Sequence, residues 1–271
     1  MIGLGFGNFQ SGVGGFDPDA QAAITAIGAD ATIGGYLNQL FLDLKGQGNT
    51  TNGTDVYSKC YAIYPMSPSD ASTISLSTIK WNIKDPRDLD AAFRLTFVNL
   101  PTASLTLGLN SNATPDSYAE THFIESSEMT AGNNGSTMFV TRFNSSVLGY
   151  FAGGEITMCA RITYFNFIQY SANQVITKGS FPLVGDIYTS SRRSATDFEA
   201  YNNGVSYGTN TTSDTSQSTA QHRLFCRTNL GTPVQFQDGA LGFYALHDGL
   251  TDNEVQDLFD AITAWNTSLG R

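Results

Sequence analysis

From Val56 onward the chain is a succession of short β-branched or aromatic runs. They fall at Tyr57–Tyr64, Thr73–Ile83, Ala92–Val98, Ser104–Leu109, Thr137–Phe143, Glu155–Phe167, Val175–Phe181, Asp197–Tyr201, Leu224–Arg227 and Ala240–Leu246. Clusters of Gly, Asn, Ser, Thr and Pro separate them. Many short strands at regular spacing predict an all-β sandwich or barrel. Asn203-Gly204 between two such runs predicts a tight hairpin, because both central residues of that turn need positive φ. With 271 residues, 41% of them hydrophobic, the chain can build one large β core.

The two ends read differently. Gly3, Gly5, Gly7, Gly12, Gly14 and Gly15 interleave with Leu4, Phe6, Phe9, Val13 and Phe16. Glycine makes backbone costly to order while the apolar residues favour burial, so residues 1–16 are expected to be an arm that docks on another protein. Asp17-Pro18 predicts an N-cap followed by proline at the first helical position, with Ala20, Ile24 and Ile27 as the buried stripe and Gly28 as the stop. Tyr36, Leu37, Leu40, Phe41 and Leu44 predict a second helix ending at Gly46. Residues 17–50 are therefore a short helical segment, and 51–271 the sandwich. Thr251-Asp252-Asn253-Glu254 is a capping box. Val255, Leu258, Phe259, Ile262 and Trp265 give the following helix one apolar face to lay on the sheets.

Charge narrows the function classes. Only 14% of residues are charged, with 14 Lys+Arg against 24 Asp+Glu and a net charge of −10. Nucleic-acid binding depends on Lys and Arg displacing counterions, so a nucleic-acid partner is not expected. No run approaches the roughly 18 apolar residues of a membrane span. Met1–Phe6 lacks the basic and apolar regions of a secretory signal, and the expectation is a soluble chain made in a cytoplasm. Cys60, Cys159 and Cys226 are odd in number and widely spaced, which predicts reduced core thiols rather than a disulfide framework.

Residue patterns that could carry chemistry are few. Gly204-Val205-Ser206-Tyr207-Gly208 matches a nucleophile elbow, but the elbow needs a helix after it and Thr209–Ser213 is a poor one. A hairpin turn is the expectation. Glu125 and Glu128 are three apart, which suits neither strand face for a retaining pair held about 5–5.5 Å apart; a solvated loop or opposite strand faces are expected. His122, His222 and His247 have no zinc-binding spacing and are expected to be structural. No catalytic, cofactor-binding or metal-binding residues are assigned. Asp85, Pro86, Arg87 and Asp88 are expected to form a rigid corner, with Arg87 forking onto Asp85, Asp88 or Asp90. Arg192 and Arg193 should pair likewise with Asp186 and Asp197. Tyr164, Phe165, Phe167 and Tyr170 could stack on sugar rings.

Several blocks resemble a family of bacteriophage virion proteins: Phe16–Ala22, Lys59–Pro65, Trp81–Leu95, Leu250–Glu254 and Leu269–Arg271. Lys84–Leu95 is the most specific of them. Tyr201–Val205 also resembles the strand and turn of laminin G-like sandwiches. The resemblance implies a concanavalin A-like (laminin G-like) jelly roll, with short N-terminal helices and a C-terminal helix, on the outside of a phage particle. It implies a non-catalytic capsid or tail decoration protein, present in the virion in many copies or as a homo-oligomer and bound to other virion proteins through the arm. The alternative is an adhesin or tail-fibre module that contacts a host-surface glycan.

Overall fold

The computed structural model describes residues 15–99, 101–111, 116–144, 149–153, 156–160, 165–169, 175–178, 184–229 and 231–271. Leu4, Phe6, Phe9 and Val13 of the arm lie outside them. So do Tyr164, Tyr170 and Glu155.

Two antiparallel sheets face each other. The first runs β13 (Val205–Asn210), β12 (Asp197–Asn202), β11 (Ile187–Ser194), β6 (Asn134–Phe143), β17 (Gly239–His247), β4 (Gly108–Ser111) and β3 (Thr102–Ser104). In it β1 (Cys60–Tyr64) pairs with the second half of β17, beyond the stretch that pairs with β4. The second runs β10 (Val175–Lys178), β9 (Phe165–Gln169), β8 (Ile156–Ala160), β7 (Gly149–Gly153), β14 (Gln221–Leu224), β5 (Tyr118–Ile124) and β2 (Thr96–Val98). A small ribbon of β15 (Arg227–Asn229) and β16 (Thr232–Val234) stands apart. The architecture is the all-β sandwich expected, with helices at both ends of the chain.

Those helices form a third layer on the outer face of the first sheet. They are α1 (Pro18–Ile27), α2 (Ala31–Leu44) and α5 (Asp252–Ser268); α3 (Leu76–Ile79) and α4 (Glu125–Glu128) are single turns. Ile24, Leu37, Phe41, Leu258, Ile262 and Trp265 of the helices share one buried cluster with Ile63, Phe139, Phe243 and Ala245 of the sheet. Residues 17–50 thus pack into the same core as the sandwich. The sheet's alternate side chains Met138, Val140, Leu241, Tyr244 and Leu246 fill the core between the sheets. Along β17 the alternation changes phase at Gly242, where the pairing with β6 shifts register. A bulge of this kind adds one residue and turns the following side chains to the other face.

Local signals place the helix ends. The Asp17 side chain accepts hydrogen bonds from the Asp19 and Ala20 amides, and Gly28 closes α1 at φ 71°, a left-handed conformation that glycine enters freely. Thr251 and Glu254 form the reciprocal cap of α5. Lys45, directly after the last residue of the expected stripe and one before Gly46, caps α2.

The expected strand Thr73–Ile83 is instead α3 followed by loop. The Thr78 hydroxyl accepts from the Ser75 amide (3.1 Å) and donates to its carbonyl (3.0 Å). These local bonds satisfy backbone groups that a strand would give to a neighbour. The run expected from Tyr57 begins with a 3-10 turn, and the strand starts at Cys60. Cys60 and Cys226 are free and buried.

Trp265 is buried in the cluster between helices and sheet, and its indole N–H donates to the Pro65 carbonyl at 2.9 Å. Trp265→Ala should therefore cost about 3–5 kcal/mol, and Thr251→Ala on the order of 1 kcal/mol through the lost cap. Urea titration measures both; equal, negligible losses would contradict the packing of α5.

Candidate functional site

Several of the blocks singled out in the sequence supply contacts around the helices and the first sheet. Asn82, buried, accepts from the Ile63 amide (2.9 Å) and the Lys84 amide (3.1 Å) and donates to the Ala92 carbonyl (3.0 Å). One side chain so joins the Lys59–Pro65 and Trp81–Leu95 blocks. Lys84 donates to the Tyr57 carbonyl and its ammonium stands 3.7 Å from the Tyr57 ring centroid, with the Lys45 ammonium 4.9 Å from the same centroid. Tyr57 is thus held by two cations through its π face. Lys45 also meets both oxygens of Asp17 at 2.8 Å, and Lys59 is paired with Glu254 of the α5 cap. Arg271 donates to the Leu105, Gly242 and Met66 carbonyls at 2.7, 3.2 and 2.9 Å.

The corner residues lie in exposed loop. Arg87 forks onto Asp85, with Nε 2.7 Å from Oδ1, across Pro86. That neighbour holds the Asp85 carboxyl below the usual carboxylate range. Asp88 pairs with Lys80 and Arg94, both at 2.7 Å, and Arg94 reaches Asp90 at 2.9 Å. Of the three partners open to Arg87, the structure selects Asp85. Exposed pairs like these contribute little stability singly. His122 Nε2 lies 2.8 Å from the Thr96 hydroxyl and 3.4 Å from Asp90. Both contacts fall on the same nitrogen, so this is no acid–histidine–hydroxyl relay, which uses the two ring nitrogens separately.

Other candidates have structural surroundings. Glu125 is buried, contrary to a solvated loop: it accepts from Asn134 Nδ2 (2.6 Å) and the Ser218 amide (3.2 Å), because α4 turns it inward while Glu128 stays exposed. Gly204–Gly208 is the expected hairpin, with Asn203 at φ 52° and Gly204 at φ 77°, and it leads into β13 rather than a helix. Arg193 takes Asp197, Glu199 and Asp252. Arg192 donates instead to the Asp214 and Ser216 carbonyls, and Asp186 accepts from Tyr188 and Asn203. Phe165 and Phe167 lie on β9. Phe16, last residue of the arm, is 44% exposed beside α1. Among the described residues there is no cluster of three His, Cys, Asp or Glu side chains able to hold a metal ion, and no helix long and apolar enough to cross a membrane.

A groove of about 230 Å³ opens between the C-terminal half of α5 and the β12–β13 hairpin. Phe259, Thr263, Asn266 and Thr267 line it from the helix, Ile187 and Asn203 from the sheet, and Arg271 lies at its margin. Asn203 is braced: its Oδ1 accepts from the Ile187 amide and its Nδ2 donates to Asp186, each at 2.8 Å. Gly204 allows the hairpin this close, since a Cβ there would stand 2.8 Å from Gln256 Oε1 and 3.3 Å from Phe259 Cγ. The sequence pattern assigns Phe259 to the buried face, but it is only partly buried and borders the groove. Thr263 and Thr267, one turn apart, are the only periodic signal that could have marked this polar edge.

No family model matches this chain, and no curated protein matches it. Among solved structures it is similar to a Trypanosoma rangeli sialidase in complex with 2,3-difluorosialic acid (13% identity, TM-score 0.45, covering 61% of this chain and 29% of that one). It is also similar to the receptor-binding domain of botulinum neurotoxin D (9%, TM-score 0.42, 62% and 48%). A third is domain 4 of AbnA, a GH43 extracellular arabinanase from Geobacillus stearothermophilus, in complex with arabinotriose (14%, TM-score 0.43, 74% and 98%). The matched region spans less than half the length of the first two. These likenesses concern the β-sandwich alone.

Burial holds two imidazoles neutral. His222 Nε2 meets the Tyr244 hydroxyl at 2.6 Å and its pKa is pushed down to about 3; His247, against Thr137 and the Asp248 carbonyl, is pushed down to about 4. In the unfolded chain both protonate near pH 6.5, roughly. Below that pH the unfolded state binds protons that the folded state refuses. Stability should fall by roughly 1.4 kcal/mol per pH unit for each histidine, levelling off at the folded pKa values. Urea titrations at about pH 7 and about pH 5 should show this loss; a midpoint that does not move would contradict it.

Proposed function

We propose that this chain is a non-catalytic structural subunit on the outer surface of a bacteriophage particle, of the decoration or auxiliary class. The observation that carries the reading is that Asn82, Lys84, Asp17, Lys59 and Arg271, all within the blocks of resemblance, are spent on the chain's own internal contacts: strand to loop, helix to helix, and helix to strand. Block residues spent on internal contacts suit a protein selected for a durable shape. In an enzyme, motif residues would be expected to converge on a cavity.

The exposed Phe16 at the start of α1 supports the second half of the reading. Its ring, 44% exposed where the arm meets α1, is available to a contact with another chain. Residues 1–16 join the subunit to a neighbouring virion protein, and the sandwich stands outward from that anchor.

Deleting residues 1–16 should leave the sandwich folded and abolish incorporation into particles, as read by quantitative mass spectrometry of purified virions. Particles carrying the truncated chain at full occupancy would overturn the reading.

A further inference from the structure

We propose that Asn52 is a site of spontaneous deamidation, in which the Gly53 amide nitrogen attacks the Asn52 side chain, and that the product frees the loop between α2 and β1 from α5. The inference goes beyond the virion role and does not depend on how the subunit is anchored.

The sequence has three Asn-Gly pairs, at Asn52-Gly53, Asn134-Gly135 and Asn203-Gly204. In such a pair the second residue has no side chain to hinder its amide nitrogen from approaching the asparagine Cγ. The fold protects two of the three. Asn134 is fully buried on β6 and donates through Nδ2 to Glu125 Oε1 at 2.6 Å. A Cβ on Gly135 would already stand 2.4 Å from the Ser190 carbonyl oxygen, so a ring has no room to close there. Asn203 is held through both side-chain atoms, to the Ile187 amide and to Asp186, at 2.8 Å each. Asn52 differs. Thr51, Asn52 and Gly53 are exposed and lie in no helix or strand. The bonds of Asn52 Nδ2, to the Asn253 carbonyl and Asp257 Oδ1, are longer, at 3.2 and 3.1 Å. Among the described residues no donor reaches Asn52 Oδ1 and no acceptor takes the Gly53 N–H.

The step needs only water. The Gly53 nitrogen loses its proton to solvent and bonds to Asn52 Cγ; the Cγ–Nδ2 bond breaks, and Nδ2 takes up a proton and leaves as ammonia. Water then opens the cyclic imide at either carbonyl. One opening leaves aspartate, the other isoaspartate, in which the main chain runs through the former side chain.

The product falls where the loop is fastened. Asp257, 1% exposed, accepts at Oδ1 from the Asn52 amide (2.7 Å) and Nδ2, and at Oδ2 from the Thr54 amide (2.7 Å) and hydroxyl (2.6 Å). Asp260 Oδ2 accepts from the Thr51 amide (3.0 Å) and hydroxyl (2.6 Å). Either product replaces the Nδ2 donor with a carboxylate facing Asp257, and burial strengthens the repulsion between like charges. Isoaspartate also lengthens the main chain between the Asn52 and Thr54 amides, which then no longer match the two oxygens of one carboxyl.

The test is peptide mapping of the full chain after ageing in mildly alkaline ¹⁸O water, with isoaspartate detected by enzymatic methylation. Asn52 should convert about tenfold or more faster than Asn134 and Asn203, whose side chains react only after local opening. It should take up ¹⁸O and yield isoaspartate as well as aspartate, and Asn52→Gln should abolish methylation of that peptide. Hydrogen exchange reads the consequence: Asn52→Asp should speed exchange of the Thr51 and Thr54 amides about tenfold. Conversion of Asn52 no faster than of the other two, aspartate without isoaspartate, or unchanged exchange in Asn52→Asp would overturn the proposal.

Discussion

The structure depends on the burial of the first sheet on both faces. The central strands β6 and β17 have no solvent-facing side: one set of side chains fills the sandwich and the other meets the helices. A sandwich sheet with one wet face would be complete by itself. This one is not, so α1 and α2 from one end of the chain and α5 from the other must close over it. Their apolar stripes are the complement of Ile63, Phe139, Phe243 and Ala245.

Double burial sets a demand on every polar group in those strands, since an unpaired one is expensive where water cannot reach. The chain meets it with small hydroxyls and, on β11, with the fully buried Arg192, which donates to the Asp214 and Ser216 carbonyls. Thr137 pairs with Thr189 at 2.9 Å, and Ser191 both donates to the Leu250 carbonyl and accepts from the Leu250 amide. Further charges are placed at the margin of the helix layer. There Asp257 of α5, buried, accepts from the Thr54 amide and hydroxyl and the Asn52 amide, fixing the loop between α2 and β1. Burial alone would raise its pKa, but those donors hold it below the usual carboxylate range. The groove lies at the same margin, where α5 passes the β12–β13 hairpin.

Legibility in the sequence follows the range of the interactions. The caps of α1 and α5 and the Asn203-Gly204 hairpin rest on residues within four positions of one another, and all three were readable. Strands β5 and β11 were not. Glu120, His122 and the Ser190–Ser194 run are polar, and their strand identity comes from partners far along the chain, such as Ser136 opposite Ser190. The Thr73–Ile83 run misled in the other direction, because β-branched content outweighed the local bonds of Ser75 and Thr78. The groove was hidden for a related reason: Asn266 and Asn203 are 63 positions apart, and neither the hairpin signal nor the helix signal says that they share a cavity wall. The arm was legible as composition only.

The most direct test of the account is a reconstruction of the assembled particle at side-chain resolution. It should place this chain on the outer surface, with Leu4, Phe6 and Phe9 buried against a different virion protein and the edge formed by α5 and the β12–β13 hairpin facing solvent. Particles lacking the chain, or a chain whose arm touches no neighbour, would contradict it.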